Sequence, residues 1–253
     1  MQASEKNALK TVVEEKMRKM FFSQPVINRY FESVSQKELI SMNTLLDDEQ
    51  EVRRVSRRAR YIKTANFPTM KSFDDYDFSG IKFPKNFSKE DMLSLDFIEK
   101  KHTIVFFGGC GSGKTHATTA LGIEACNKDY KVKFFTLTSL VMHLKNAKNN
   151  GTLERAYKNL MNCNLICIDE WGYLPLDLES GQLLFSVISN AYERLSLIIT
   201  TNLPFNEWGP LFADEQLAAA IIDRIVHYGH LVNTGVKDWR LTHALMNDCR
   251  CRC

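Results

Sequence analysis

The stretch Gly108-Gly109-Cys110-Gly111-Ser112-Gly113-Lys114-Thr115, with the apolar run TIVFF before it and helix-prone residues after it, constrains this chain more than any other. Glycines spaced as in G-x-x-x-x-G-K-[ST] allow a tight turn that points successive backbone N–H groups inward, and a helix starting at the lysine adds partial positive charge. Such a turn needs a buried strand to feed it and a helix to receive it, so it predicts a strand, loop and helix unit within an α/β fold. The ligand that fits is a nucleotide phosphate chain such as that of ATP. Lys114 reaches its outer phosphates, Thr115 offers a hydroxyl to Mg²⁺, and His116 follows in the first helical turn.

From Thr103 onward, short apolar runs alternate with helical stretches. TIVFF, KVKFFTLT, LICIDE, SLIITTN and GHLVN read as strands. Helices are predicted over 114–127, from Ser139, over SGQLLFSVISNAYERL and over DEQLAAAIIDRIV. TIVFF, LICI and LIIT are apolar on both faces, as central parallel strands covered by helices must be, which predicts a doubly wound sheet with its ligand at the carboxyl ends of the strands. Residues 1–65 carry helical patterning without a strand signal and read as a small helical domain, with Leu39, Ile40, Met42, Leu45 and Leu46 as its intermittent apolar face. Residues 66–95 mix Pro, Gly, Ser and aromatics and read as an ordered connector clamped by Phe67, Phe73, Tyr76 and Phe78. The α/β domain is then expected over 96–248, with a loose cysteine-rich tail over 249–253.

Three further groups bear on chemistry. Asp169 and Glu170 end an apolar strand, where the first carboxylate orders Mg²⁺ and the second activates water. Side chains alternate along a strand, so the two acids are expected to do different jobs, which favours hydrolysis over binding alone. Asn202 ends SLIITTN beside Thr200 and Thr201; it is either a plain turn residue or, if that strand inserts between the other two, the amide that holds the attacking water or the γ-phosphate. Arg224 lies on a helix whose apolar stripe reads Ile221, Ile222, Ile225 and Val226. It is either a charge on a solvated face or a finger offered to a neighbouring subunit's nucleotide.

The formal net charge is only +3, from 33 basic and 30 acidic residues, so nucleic-acid binding has to come from local clusters. The strongest is RRVSRRARYIK, where Arg53, Arg54, Arg57 and Arg58 form a basic stripe suited to phosphates. The competing reading is a solvated face paired with the acids of LDDEQE. Lys145 and Lys148 form a second, sparser cluster. No apolar run is long enough to span a bilayer and the polar start lacks a signal core, so a cytoplasmic protein is expected. Cys249, Cys251 and Cys253 read as a reactive tail or as thiols for a soft metal that lacks a fourth ligand.

With these residues in place, the sequence resembles the IstB-like transposition helper ATPases of bacterial insertion sequences, relatives of DnaC-type helicase loaders in the AAA+ superfamily. The marks are IDEWGYLPLD, LLFSVISNAYERLSLIITTNLPFNEWG, AAAIIDRIVHYGHLV and the upstream RRARYIKTANFPTMKSFDDYDFS, and the likeness runs from about residue 30 to 245. It implies an AAA+ P-loop core with a parallel sheet between helices, a small helical N-terminal domain and no large separate lid. It makes Gly108 to Thr115 the Walker A loop, Asp169 and Glu170 the Walker B pair, Asn202 the first sensor and Arg224 a finger acting in trans; Arg240 matches an arginine near the end of relatives, and with no recognisable lid its role as a second sensor stays open. It implies ATP- and Mg²⁺-dependent oligomerisation on double-stranded DNA and recruitment or regulation of a transposase. Rival readings are a DnaC-like replicative helicase loader, a P-loop small-molecule kinase and a nucleotide-dependent DNA scaffold without turnover. Cys110, where relatives often carry proline, departs from the pattern and exposes a thiol near the phosphates.

Overall fold

The computed structural model describes residues 2–235; Arg240 and the cysteines at 249, 251 and 253 lie outside them. Helices α1 (Gln2–Lys19), α2 (Gln24–Ser33) and α3 (Gln36–Ala65) come first. The chain divides into two compact units between Ala59 and Arg60, within α3. Short helices α4 (Lys89–Ser94) and α5 (Asp96–Glu99) precede β1 (Thr103–Phe107). There follow α6 (Lys114–Asn127), β2 (Val132–Thr136), α7 (Leu137–Asn149), α8 (Leu153–Met161), β3 (Leu165–Trp171), α9 (Leu178–Ala191), β4 (Ser196–Thr201), α10 (Glu215–His227) and β5 (Gly229–Asn233).

The first unit is helical, and Val13, Met17, Met20, Ile27, Val34, Leu39 and Leu46 form its core. The predicted apolar face of α3 is only half right. Leu39 and Leu46 are buried, whereas Ile40 and Leu45 are 53% and 61% exposed. Spacing explains the split: 39, 42 and 46 recur every three or four residues along one face, and 40 and 45 fall off it.

Among the described residues of the second unit the five strands are all parallel, in the order β2-β3-β4-β1-β5. Successive residues of each strand feed opposite layers. Ile104, Phe106, Cys167 and Ile198 pack with Leu121 and Ala125 of α6. Val105, Ile166, Ile168 and Ile199 pack with Leu140 of α7, Leu184 of α9 and Ile221 of α10. Each such side chain contributes about 1.5–3 kcal/mol on burial, which is why the strands read as unbroken apolar runs. Strand β2 ends earlier than KVKFFTLT suggested, because the Thr136 hydroxyl accepts from Ser139 N at 3.1 Å and caps α7 there. In α10 the buried stripe is Ala218, Ile221 and Ile225, with Ile222 at its margin, and Val226 is 47% exposed. Helix α9 is the main neighbour of α10 and covers one side of it, and Val226 falls outside that side.

The division of labour along α3 is open to measurement. Leu39→Ala is expected to cost about 2–5 kcal/mol in denaturant unfolding followed by helical circular dichroism, and Leu45→Ala less than about 0.5 kcal/mol. Equal losses at both positions would contradict the packing.

Candidate nucleotide site

The loop after β1 is framed on several sides. Gly108 N donates to Thr201 O at the end of β4 (3.2 Å), and Gly109 N donates to Gly235 O beyond β5 (2.9 Å). Thr234 bonds Ser112 through their hydroxyls (2.7 Å) and donates its own N–H to Phe107 O (2.8 Å). A Cβ on Gly108 would lie 2.7 Å from Gly235 O, so only glycine admits this closure. Across the loop, the Tyr76 ring lies against Gly113, with its hydroxyl 3.4 Å from Gly113 O and its centroid 5.1 Å from that of His116. Phe73 and Phe78 hold Tyr76 edge-on, and His116 Nε2 meets Ser72 O at 2.7 Å. The aromatic connector therefore serves the loop, a role that its sequence did not disclose.

The geometry suits an anion. Gly113, the N-cap of α6, has φ +87° and provides no side-chain cap, so the first N–H groups of the helix take no capping side chain. Buried Lys114 donates to Gly108 O (2.8 Å) and Gly109 O (2.6 Å), folded along the loop that a phosphate chain would enter. Cys110 is exposed, and its sulfur lies 3.8 Å from the Tyr173 hydroxyl. Burial of that phenol, and then the nearby thiol, raise its pKa. Trp171, by contrast, is fully buried against Trp208 and Phe212.

Insertion of β4 between β1 and β3 brings the remaining groups to the same end of the sheet. Asp169 is 5% exposed and its Oδ1 accepts from Thr115 Oγ1 (3.2 Å) and from Thr200 Oγ1. Glu170 is exposed, at φ +61°. The two acids face differently, as alternation along β3 expects: Asp169 lies on the α6 side with Cys167, Glu170 is exposed, and the β3–β4 register breaks between Ile168 and Trp171. Asn202 follows β4 directly, and its Oδ1 is a buried acceptor without a hydrogen-bond partner among the described residues. An orphaned acceptor beside a phosphate cradle fits a bound water, which can donate to it.

Arg224 lies elsewhere. Its guanidinium donates to Ala220 O (2.8 Å), stacks over Phe185 at 5.0 Å, and lines a crevice with Lys101, Thr103, Tyr192 and Tyr228 at the amino ends of β1 and β4. The length of β1 separates it from the loop by roughly 15 Å. Of the basic residues, Arg53 pairs with Glu49 and Arg54 with Glu51, each at 2.6 Å on the exposed surface of α3. Lys145 pairs with Asp177 (2.8 Å) and Lys148 with Glu179 (2.5 Å), tying α7 to the start of α9. The bonds from Lys145 and Ser180 hold the Asp177 carboxyl well below its ordinary pKa. Thr200, Tyr76 and Thr234 complete the arrangement. Sequence marked the first two only as a polar strand end and an aromatic clamp, and gave no sign of Thr234.

A glycine-rich loop, an acid pair and a terminal amide at one end of a five-stranded parallel sheet among helices give this chain the α/β fold of AAA+ P-loop domains. Sequence comparison gives the family: residues 17–246 match the IstB-like ATP binding proteins, and the chain belongs to that family. It is 37% identical over 200 residues to the insertion sequence IS232 ATP-binding protein of Bacillus thuringiensis subsp. berliner, covering 78% of this chain and 79% of that one. It is 36% identical over 191 residues to the insertion sequence IS5376 ATP-binding protein of Geobacillus stearothermophilus, covering 74% and 76%. Among solved structures, the DnaC helicase loader superposes with a TM-score of 0.51 at 23% identity, covering 70% of this chain and 99% of that one. DnaI does so with a TM-score of 0.50 at 16% identity, covering 66% and 89%. These two likenesses concern the fold. No helix among the described residues is long and apolar enough to cross a membrane.

Gly113 provides the test of the cradle. Gly113→Ala places a Cβ 3.0 Å from the Tyr76 ring at a left-handed φ. It is expected to cost about 1–2 kcal/mol of stability and to weaken binding of a fluorescent ATP analogue at least about tenfold. Gly80, with nothing within 4 Å of a built Cβ, is the matched control and should tolerate alanine. Undiminished affinity in Gly113→Ala would show that the loop does not carry the nucleotide.

Proposed function

We propose that this protein is a Mg²⁺-dependent ATPase that assembles on double-stranded DNA as a homo-oligomer and recruits or regulates a transposase during insertion-sequence transposition. The observation that carries the reading is the gathering of Lys114, Thr115, Asp169, Glu170 and Asn202 at one end of the sheet, with Arg224 at the other. Gly108 to His116 hold the ATP phosphates through backbone N–H groups and Lys114. Thr115 and Asp169 hold Mg²⁺, whose chemistry is to neutralise charge on the phosphates. Glu170, free of the core, takes a proton from water, and Asn202 Oδ1 accepts a hydrogen bond from that water. Arg224 does not reach the loop of its own chain, so it serves a second copy, and the finished site is shared between subunits.

For DNA, Arg53, Arg54, Arg57 and Arg58 of the first unit are the leading contacts. The exposed pairs of Arg53 and Arg54 with acids one turn away are each worth about 0.3–0.5 kcal/mol, so a phosphate displaces them at small cost. Lys145 and Lys148 contribute only by giving up bonds that join two helices.

Glu170→Gln is expected to retain ATP binding and to lose phosphate release by about 10²–10³-fold, measured with and without duplex DNA. Hydrolysis that depends strictly on a phosphorylatable metabolite would replace this reading with a kinase. Capture of a replicative helicase in preference to an insertion-sequence transposase would replace it with a helicase loader.

ATP-dependent DNA binding across a salt series tests the basic stripe separately. Arg57→Ala and Arg58→Ala should each flatten the slope of log affinity against log salt by about 1. An unchanged slope in both would remove the stripe from the DNA contact.

A further inference from the structure

The sheet is regular except at one position. Along β3 and β4, Leu165 pairs with Ser196, Ile166 with Leu197, Cys167 with Ile198 and Ile168 with Ile199, and pairing then resumes at Trp171 with Thr201. Asp169 and Glu170 together stand opposite the single residue Thr200, so β3 carries a bulge of one residue. A bulge takes a backbone N–H out of the ladder, and a buried one has to find another acceptor. Here the Glu170 N–H donates to Thr200 Oγ1 at 3.1 Å, and that hydroxyl donates its own hydrogen to Asp169 Oδ1. One hydroxyl, on a residue only 2% exposed, therefore joins the backbone of one acid to the side chain of the other. It also supports Glu170 at φ +61°, a conformation that a residue with a Cβ adopts only when its surroundings hold it there.

We infer that Thr200 is the positioning residue of the acid pair: its hydroxyl sets the direction of the Asp169 carboxylate and the backbone conformation that turns Glu170 out of the sheet. The inference rests on the ATPase reading above and deepens it. The neighbours of Thr200 are otherwise engaged. The Thr201 hydroxyl accepts from Leu203 N (3.0 Å) within the turn that follows, and the Thr201 carbonyl holds Gly108 N of the loop. Asn202 presents its unpartnered Oδ1. Thr115, the other hydroxyl on Asp169 Oδ1, is the one assigned to Mg²⁺, which leaves Thr200 as the group that keeps the carboxylate aimed when the site is loaded. Because Thr200 and Asn202 are two residues apart on one chain segment, a shift of β4 felt at Asn202 reaches both acids through a single side chain.

Thr200→Val keeps the shape and removes the hydroxyl, while Thr200→Ser keeps the hydroxyl and removes the methyl group. Both are compared with the unaltered full-length chain in single-turnover ATP hydrolysis with DNA, in affinity for a non-hydrolysable ATP analogue with Mg²⁺ or with EDTA, and in thermal unfolding. Thr200→Val should hydrolyse at least about 30-fold more slowly and lose most of the affinity gained on adding Mg²⁺, with affinity in EDTA within about threefold. Thr200→Ser should stay within about threefold throughout. The inference is overturned if Thr200→Val hydrolyses like the unaltered chain, if Thr200→Ser is equally slow, or if affinity in EDTA falls in step with hydrolysis. Should Thr200→Val unfold below the assay temperature, Thr200→Ala takes its place under the same criteria. If the unaltered chain itself hydrolyses nothing, the ATPase reading fails, and the Mg²⁺-dependent affinities still decide whether Thr200 holds Asp169.

Discussion

Hydrogen bonding of β4 to β1 on one side and to β3 on the other makes a site out of segments that lie far apart in sequence. Register fixes the neighbours: Phe107, the last residue before the loop, pairs with Thr201, and so does Trp171 just past the acid pair. Loop, acids and terminal amide thus leave the sheet side by side. The strands beneath them have no room to slide, because Ile104, Ile198 and Cys167 fill one face and Ile199 and Ile168 the other, all fully buried. A register slip of one residue would exchange the two sets between layers of different helices.

The loop is stabilised by groups that do no chemistry. Thr234 and Gly235 close it from β5, and Tyr76 closes it from the connector. Lys114 binds the loop's own carbonyls, so a phosphate entering the cradle competes with two short hydrogen bonds for that ammonium. Exchange of one set of bonds for another of similar strength leaves a modest net gain. The backbone donors at the start of α6, without a capping side chain to replace, supply the surplus.

Much of this was legible because the physics is local. A glycine-rich turn before a lysine has few other uses, and strands buried on both faces must be apolar throughout. The aromatic connector was legible as ordered, but not as a wall of the loop, because contact between Tyr76 and Gly113 depends on a fold that brings positions 76 and 113 together. The acids at 169 and 170 were legible as a pair that alternation turns to different surroundings, but the register break beside them was not. The bulge depends on the strand opposite, and its stabilising hydroxyl at Thr200 belongs to that strand. Exposure misled in the helices: Leu45 and Val226 are apolar yet lie outside the cores, since helical periodicity does not say how wide a stripe a neighbour covers. Charge clusters were legible as composition, whereas the pairing of Lys145 and Lys148 with the start of α9 required the packing of α7 against it.

The position of Arg224 bears on the assembly proposed above. A residue at the amino ends of the strands and a phosphate loop at their carboxyl ends cannot meet within one chain. If the arginine completes the site of a second copy, the two surfaces in contact differ: one offers Arg224 beside Tyr192 and Tyr228, and the other offers the loop. Such an interface is heterologous and leaves a free surface of each kind on every dimer, so association continues until a ring closes or a helical filament forms. Nucleotide in the cradle then governs the contact itself, because the anionic phosphates are what the guanidinium would leave Phe185 and Ala220 O to reach. In that arrangement the resting contacts of Arg224 set how readily one copy binds the next, and occupancy of the loop on the facing copy sets whether it does.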